Sequence, residues 1–453
     1  QFLAFDYVPG DLSIYQSIKK LRPGSTLVWR KGQRVEERFA SPRTVGARIT
    51  GIEEGADDLW HALKGAVKRR LMSDVPLGVF LSGGVDSAAI VTAMSEIISP
   101  EGISTFSVGF DDPRFDESHI ATRIAETLGT KHHVKRLRSV DVLKALPEIM
   151  GTLDEPFADA SYIPTYLLSR FAAEKVNVAL GGDGGDELLL GYPTFYAERQ
   201  VRLAKRVPTF ARQGILLPLI TAFSASGGYM PTEFKWRRFL RGLDLDAKRR
   251  HVAWIGGVDA RDHQTLLTPD FALGGQDIFG LLDSEATLFR ESNPQAHLLE
   301  MLGHQYFTTY LAEGVLQKVD RASMAHSLEV RSPFLDPLVM DVAARASMDL
   351  KLQGKTSKRV LRHALRGRIA DDIINLPKRG FALPIGPWLR NELKPWMEQT
   401  LDSSAIKQGG VFDPAAVQRL MKEHLAGKVS RHKELWSLLS FETWRRGPHG
   451  PDY

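Results

Sequence analysis

The chain has 453 residues, of which 43% are hydrophobic and 25% are charged, and its net charge is +5. This length predicts two or three domains, since ~100–200 residues per domain is usual. The sequence contains no cysteine, which excludes disulfides, thiolate metal sites and catalysis by a protein thiol. Neither a secretory signal nor an apolar run of the ~18–20 residues that span a bilayer is recognisable, so we expect a cytoplasmic enzyme.

Residues 1–45 are predicted to be rich in β-structure. Strand-like runs cover Phe2–Tyr7, Ser25–Arg30 and Arg34–Phe39, and Lys31-Gly32 joins the last two in the manner of a hairpin. A piece of this size cannot hold a core of its own. We therefore interpret it as the end of a larger domain.

Residues 50–195 alternate between helix and strand patterns. A helical periodicity over 53–72 precedes the apolar run Val75–Leu81, which is typical of a strand buried on both faces. The alternation indicates right-handed βαβ units, a parallel sheet with helices on both faces, and ligands at the carboxyl ends of the strands. Residues 196–453 are predicted to form a mainly helical lobe. The other predicted helices are 86–98, 117–128, 140–150, 161–173 and 298–319, and the other predicted strands are 103–110, 133–137 and 176–180.

The loop between the first buried strand and its helix reads Ser-Gly-Gly-Val-Asp-Ser at positions 82–87. Glycines let the backbone approach a ligand closely, and amides at a helix N-terminus bind anions. Asp86 fits beside a phosphate where a cation such as Mg²⁺ bridges them. The loop lacks the Lys of a Walker A sequence and the spacing of a dinucleotide site. It therefore predicts another kind of phosphate-binding loop, and the alternative is an ordinary strand-to-helix turn.

A second loop, after the strand 176–180, reads Gly-Gly-Asp-Gly-Gly-Asp-Glu at positions 181–187. Its glycines and acidic residues suit a second Mg²⁺ contact and either a ribose or a substrate amine. The spacing does not fit an EF-hand. Both loops fall at carboxyl ends of predicted strands, where a ligand of a parallel sheet is expected.

Ser82–Ser87 resembles the PP-loop of the ATP pyrophosphatases, which release AMP rather than ADP. The second loop, with Gly191-Tyr192, resembles the Gly-Asp-Gly-Gly-Asp-Glu-Leu-Phe-Gly-Gly-Tyr signature of the asparagine synthetases. The chain has Leu189-Leu190 in place of Phe-Gly, which we interpret as an apolar exchange in the following helix. Further stretches between residues 50 and 400 resemble the same family, namely Thr105–Phe110, Asp154-Glu155-Pro156 with Asp159 and Ser161 before the substrate pocket, Val319–Met324, Leu328–Asp336 and Lys378–Phe381.

This resemblance implies an α/β fold with a PP-loop domain of the adenine nucleotide alpha hydrolase type. It implies a ligase that uses ATP and Mg²⁺ to make asparagine from aspartate through β-aspartyl-AMP. Asp86 and Asp186 would then hold the metal, and Lys378, Asp183 and Asp186 would be catalytic. The residues expected to bind ATP or pyrophosphate are Leu81, Ser82, Gly83, Gly84, Val85, Asp86, Ser87, Val108, Gly181 and Gly182.

Glu187, Asp320 and Arg321 are further candidates for contact with the substrate. A carboxylate could be held by the guanidinium of Arg321 or Arg331. Alternatively, the two arginines could form structural ion pairs with Asp320 or Glu329, and the sequence does not favour either role.

Residues 2–24 resemble the last part of the family's glutaminase domain, which uses an N-terminal Cys to release ammonia from glutamine. We expect the rest of that domain in a longer parent protein, with ammonia or glutamine as the nitrogen source. A homodimer is a further expectation, and neither a membrane nor a nucleic acid is expected as a partner.

Three alternatives stay open. A ligase of the same family could act on another carboxylate, such as a sugar acid or a peptide side chain, or form a lactam. A PP-loop enzyme that modifies tRNA would suit the basic clusters in 199–206 and 235–241. A partner subunit without activity is the third alternative.

Overall fold

The computed structural model of the chain describes residues 1–39, 47–222, 232–272, 277–376, 380, 383–427 and 429–450. The strands in these ranges are β1 (Ser25–Arg30), β2 (Gln33–Arg38), β3 (Leu77–Phe80), β4 (Ser104–Phe110), β5 (Lys131–Leu137), β6 (Val178–Leu180), β7 (Glu329–Arg331), β8 (Leu352–Gln353) and β9 (Thr356–Ser357).

Helices make up most of the remaining structure. They are α1 (Phe2–Phe5), α2 (Ile52–Arg70), α3 (Val85–Ser95), α4 (Ser118–Leu128), α5 (Ser139–Gly151), α6 (Tyr162–Ala173), α7 (Gly185–Leu188), α8 (Pro193–Ala204), α9 (Thr209–Ala211), α10 (Leu217–Ala222), α11 (Thr232–Gly242), α12 (Ala247–Ile255), α13 (His263–Leu266), α14 (Gly280–Ser292), α15 (Leu298–Gln305), α16 (Gln317–Met324), α17 (Pro337–Arg345), α18 (Met348–Lys351), α19 (Arg359–Ala364), α20 (Asp371–Ile374), α21 (Ile385–Arg390), α22 (Lys394–Thr400), α23 (Ser403–Gly409), α24 (Pro414–Leu425) and α25 (His432–Arg445). Short 3₁₀ turns cover Pro100–Gly102, Ala260–Asp262 and Pro333–Leu335, and π-helical segments cover Arg212–Leu216 and Tyr306–Leu316.

Five strands form one parallel sheet in the spatial order β5-β4-β3-β6-β7. The chain steps outward from β3 to β4 and β5 and then returns to β6 on the other side of β3. The direction of winding therefore reverses between β3 and β6. In open α/β sheets, ligands bind at such a reversal, beyond the carboxyl ends of the strands.

Helices cover both faces of this sheet, which confirms the predicted α/β fold class. One core packs Phe106, Val108 and Phe110 of β4 against α5, α6 and α25. A second core packs Val79 and Leu180 against α2, α3 and α17. Successive side chains of a strand point to opposite faces, so a strand covered on both faces reads as a continuous apolar run.

The N-terminal residues differ in part from their prediction. The β1–β2 hairpin is confirmed, and Lys31 and Gly32 both have positive φ (50° and 79°), as a type I′ turn requires. The strand predicted over Phe2–Tyr7 is wrong, because Phe2–Phe5 forms α1. The amides of Ala4 and Phe5 donate to the carbonyl of Gln1. A helical turn satisfies these buried groups within the segment, so its apolar side chains enter the first core without joining a sheet.

The fifth strand, β7, lies in the part of the chain that was predicted to be mainly helical. The strand consists of Glu329, Val330 and Arg331, a stretch too short and too polar to show a strand pattern in the sequence. It is recognised as a strand only because it pairs with β6. The helix predicted over 298–319 is present and continues to Met324 through the π-helical segment. The sheet thus draws on residues beyond 195, and the domain boundaries stay a prediction. Over the described ranges, no helix combines the length and the apolar character needed to cross a membrane.

Candidate functional site

The first glycine loop connects β3 to α3. Leu81 is buried and donates its amide to the carbonyl of Phe106 on β4 (2.8 Å). The amide of Ser82 donates to Ser87 Oγ, and the two hydroxyl oxygens are 3.0 Å apart, so the serines close the loop. Gly84 is the N-cap of α3 and offers no side-chain cap. The first turn of α3 therefore has amides that its own helix cannot satisfy, as an anion-binding loop requires.

The second glycine loop follows β6 and packs directly against the first. A Cβ added at Gly182 would lie 3.1 Å from Asp86 Cβ, and one at Gly185 would lie 2.6 Å from Asp86 Oδ1. A side chain would press on Asp86 at Gly182 and would force Asp86 to move at Gly185. Gly184 has a φ of 92°, a backbone conformation that favours glycine. These glycines let the two loops meet without a gap.

A lysine that the sequence analysis did not single out lies between the two loops. Lys358 Nζ pairs with Asp86 Oδ2 and lies 2.6 Å from Asp186 Oδ1. The side chain of Lys358 is 2% exposed, and those of Asp86 and Asp186 are 12% and 13% exposed. The structure thus brings the two predicted metal ligands together around one buried cation. Without that cation, two like charges would share a site that water barely reaches.

Lys358 was missed because it lies 272 residues from Asp86, in the helical lobe. It is the N-cap of α19 and has a φ of 54°. A left-handed conformation costs a non-glycine residue about 1–2 kcal/mol, and a cation at a helix N-terminus opposes the helix dipole. The first turn of α19 has no acidic residue to offset that charge. A lysine at such a helix start is the one sequence signal that could have pointed to this residue.

Glu187 is a buried acid at the base of the second loop. It is 3% exposed and accepts a 2.6 Å hydrogen bond from the hydroxyl of Tyr192. Burial, followed by the negative charge of Asp186, raises the pKa of Glu187 to about 7. A carboxyl group with a pKa in this range can gain or lose a proton near neutral pH.

Leu190 corrects one interpretation of the second loop. The helix α7 ends at Leu188, and Leu190 has a φ of 54°, so the Leu189-Leu190 exchange does not lie in a helix. The signature has glycine at this position, and the left-handed backbone explains why. The leucine side chain is 2% exposed and belongs to a separate small core, so its burial offsets the conformational cost.

The other predicted site residues lie in different surroundings. Asp183 lies beside Gly181, where an added Cβ would be 2.8 Å from its Oδ2, and Val108 is buried in the first core. Arg321 pairs with Asp154 at 2.7 Å rather than with Asp320, whose side chain is exposed. The remaining arginine, Arg331, has a structural role, because it pairs with Glu329 and also donates to the carbonyls of Arg70 and Met72.

Lys378, the predicted phosphate contact, lies outside the described residues, and its role stays a prediction. The described chain just before it is tied to the site by Arg362, one helical turn after Lys358. The guanidinium of Arg362 donates to the carbonyls of Ile374 and Leu376. Burial lowers the pKa of Arg362, and the charges of Asp86 and Asp186 act in the opposite direction.

The capacity of the site for a metal rests on Asp86 and Asp186. No cluster of three or more His, Asp or Glu side chains suited to a metal occurs in the described part of the chain. Asp86 Oδ1 is buried and accepts no hydrogen bond from any described residue. Mg²⁺ is commonly bound by one or two carboxylates together with substrate phosphates. These residues fit that pattern, because a phosphate would complete the set of oxygen ligands.

Comparisons with known proteins agree with this geometry. The family described as asparagine synthase matches residues 58–446. A putative glutamine-hydrolysing asparagine synthetase from Mycobacterium tuberculosis is 32% identical over 451 residues, and asparagine synthetase 1 from Bacillus subtilis is 28% identical over 446 residues. Each match covers 98% of this chain and, respectively, 66% and 67% of the relative.

A more distant relative, amidase chry2 from Gibberella zeae, is 21% identical over 90% of this chain and 65% of its own length. The chain thus spans about two thirds of the length of the curated relatives that it matches. The family match extends over most of the sequence and includes both glycine loops and Lys358. The chain belongs to the asparagine synthase family.

Proposed function

We propose that this chain carries out the synthetase reaction of an AMP-forming amide ligase, with aspartate, ATP and ammonia as substrates. The observation that carries the proposal is the meeting of two glycine loops at the reversal of the sheet, with Asp86 and Asp186 held on the buried Lys358. Such a site combines anion-binding amides, a fixed cation and carboxylates, which is what a metal-bound triphosphate needs.

The reaction has two steps. A side-chain carboxylate oxygen of aspartate attacks the α-phosphorus of ATP, the bond to the bridging oxygen breaks, and pyrophosphate leaves. Ammonia then attacks the acyl carbon, the bond from that carbon to the AMP oxygen breaks, and asparagine and AMP result. In this scheme the loop 82–87 holds the pyrophosphate, and Asp183 orients the adenylate or accepts a proton from the attacking amine.

Positive charge near the departing pyrophosphate would come from the protein as well as from a metal. Lys358 is fixed between the loops, and Lys378 is proposed to contact the same phosphates. Fixed charges in a site that water barely reaches stabilise developing charge strongly. Mg²⁺ held by Asp86 and Asp186 would supply Lewis-acid chemistry when bound.

The nitrogen source and the partners belong to the proposal too. Ammonia would come from glutamine in a longer parent whose glutaminase domain ends within residues 1–45. A homodimer, a cytoplasmic location and the lack of a nucleic-acid partner stay predictions. Two relatives named as amidases, chry2 from Gibberella zeae and chyE from Penicillium rubens, keep another carboxylate substrate open.

The test is product analysis with ATP, ammonium and a panel of acids. We expect AMP, pyrophosphate and asparagine in equal amounts with aspartate, and loss of activity on the order of 10²–10³-fold in Asp186→Asn. Asp372→Asn is the matched control, because it removes only an exposed pair with Arg123. ADP as the product would exclude this function. AMP formation with another acid but not with aspartate would favour the alternative family ligase, and salt-sensitive tRNA binding would favour the modifying enzyme.

A further inference from the structure

A second lysine-centred cluster joins α16 to the segment that precedes α6. Lys318 Nζ lies 3.3 Å from Asp159 Oδ2 and 2.9 Å from Ser161 Oγ. The other oxygen of Asp159 accepts the amide and the hydroxyl of Ser161 at 2.9 and 2.7 Å. The three side chains form one unit that offers a cation, an anion and a hydroxyl.

The topology places this cluster at the edge of the sheet where the glycine loops lie. The helix α6 leads into β6, and α16 leads into β7, so both helices run back from the carboxyl edge toward the start of a strand. Asp159 and Ser161 precede α6 and therefore lie beyond the carboxyl ends of the strands. Lys318 contacts them from the first turn of α16.

Two tyrosine side chains pack beside the second glycine loop. Tyr192 donates to Glu187, and its ring centroid is 5.7 Å from that of Tyr310. Burial raises the pKa of Tyr310 well above its ordinary value, and the charges of Asp159 and Glu187 raise it further. The charges of both acids thus act on Tyr310, whose ring packs against Tyr192 beside the second glycine loop.

The Lys318–Asp159 ion pair is only partly buried, and its two charged groups are not in tight contact. Their side chains are 12% and 23% exposed, and their 3.3 Å separation exceeds the ~2.7–2.9 Å of a strong charge-assisted hydrogen bond. One turn along α16, Arg321 pairs with Asp154, whose side chain is 69% exposed. A ligand with one negative and one positive group can replace the contact between Lys318 and Asp159, because each of the two residues then gains an oppositely charged partner on the ligand.

We propose that Lys318, Asp159 and Ser161 bind the charged head group of a free amino acid, with the α-carboxylate on Lys318 and Ser161 and the α-ammonium on Asp159. This assignment deepens the proposed function and rests on it. It selects a free dicarboxylic amino acid as the acceptor over a sugar acid or a peptide side chain, because those lack one or both charges. A purely structural role, as a link between α6 and α16, is the competing explanation.

The experiment measures binding of three acids by calorimetry in the presence of α,β-methylene-ATP. Aspartate has both charged groups, succinate lacks the ammonium, and aspartic acid α-amide lacks the α-carboxylate. Lys318→Gln is expected to weaken aspartate binding ~10–100-fold and leave binding of the α-amide unchanged. Asp159→Asn is expected to weaken aspartate binding similarly and leave succinate unchanged. Lys318→Arg keeps the charge and should retain the preference for aspartate over the α-amide.

The controls separate this pattern from a general loss of structure. Lys64→Gln and Asp372→Asn remove only exposed pairs and should bind all three acids as the wild type does. Thermal unfolding and binding of the ATP analogue check that each variant is folded. If the cluster is only a structural link, each substitution should weaken binding of all three acids equally. That result would overturn the assignment. Aspartate binding within threefold of the wild type in both variants would also overturn it.

The same samples distinguish this assignment from the proposed function. If the expected binding pattern appears but no acid supports AMP formation, the amino-acid site is supported and the ligase function is excluded. If the wild type forms AMP with succinate and with the α-amide as readily as with aspartate, the ligase function is supported and the amino-acid site is excluded.

Discussion

Two lysines pair with aspartates near the same edge of the sheet, and they differ in how far solvent reaches them. Lys358 is sealed between Asp86 and Asp186, with 2% of its side chain exposed. Lys318 is 12% exposed, and its partner Asp159 is 23% exposed. The sealed lysine is part of the framework that holds two loops in place, whereas the open one can exchange its partner for a ligand. The degree of burial thus separates two clusters of similar composition.

The largest expected effect is on the sealed cluster. Lys358→Met should lower the free energy of unfolding by about 3–5 kcal/mol, because it removes the buried cation that pairs with both carboxylates. Urea unfolding monitored by circular dichroism measures the change. Lys64→Met, which loses only an exposed pair with Glu96, should stay within ~1 kcal/mol of the wild type. An equal effect of both substitutions would remove the distinction between the clusters.

The next effect depends on pH. The pKa of Glu187 is about 7 in the folded chain against an ordinary value of 4.5, so the folded state binds the proton more tightly. Its contribution to stability is complete below about pH 4.5 and is lost as the pH rises through 7. The difference in unfolding free energy between the wild type and Glu187→Gln should therefore change by about 3 kcal/mol between pH 4.5 and 8. A constant difference across urea titrations in this range would contradict the buried, protonated state.

A smaller effect is expected where the two glycine loops meet. Gly185→Ala places a Cβ 2.6 Å from Asp86 Oδ1, so the carboxylate must move. Overpacking of this kind costs about 1–3 kcal/mol, and AMP formation should fall because Asp86 leaves its position. Gly102→Ala is the control, since no atom lies within 4 Å of its added Cβ. Unchanged stability and activity in Gly185→Ala would mean that the loop contact has no consequence.

The smallest effect on stability is expected at the open cluster. Lys318→Gln should lower the free energy of unfolding by about 1–2 kcal/mol, since water and Ser161 can satisfy Asp159. Urea unfolding without ligand provides this value. A loss as large as that of Lys358→Met would identify Lys318 as a framework residue and would weaken the case for ligand exchange.

The parts of the fold that the sequence predicted are those specified by neighbouring residues. The apolar runs of β3 and β4 and the periodicity of α2 are local signals, and they match the structure closely. The positions of both glycine loops were predicted because each follows a strand pattern that is itself a local signal, and their role in binding phosphate stays a prediction. The short strand β7 was missed because three residues flanked by charges resemble a loop until β6 pairs with them. The segment Phe2–Phe5 was misread because its apolar character suits a buried helix as well as a strand.

The sequence by itself determined the parallel α/β sheet, the two glycine loops and the acidic residues that they carry. These features depend on short stretches whose backbone and burial preferences are set within a few residues. Only the tertiary structure decided that Lys358 lies between Asp86 and Asp186, that Arg321 pairs with Asp154 and that Lys318 meets Asp159. Such pairs join residues far apart in the chain. Their partners are chosen by the packing of helices, and no local pattern contains that information.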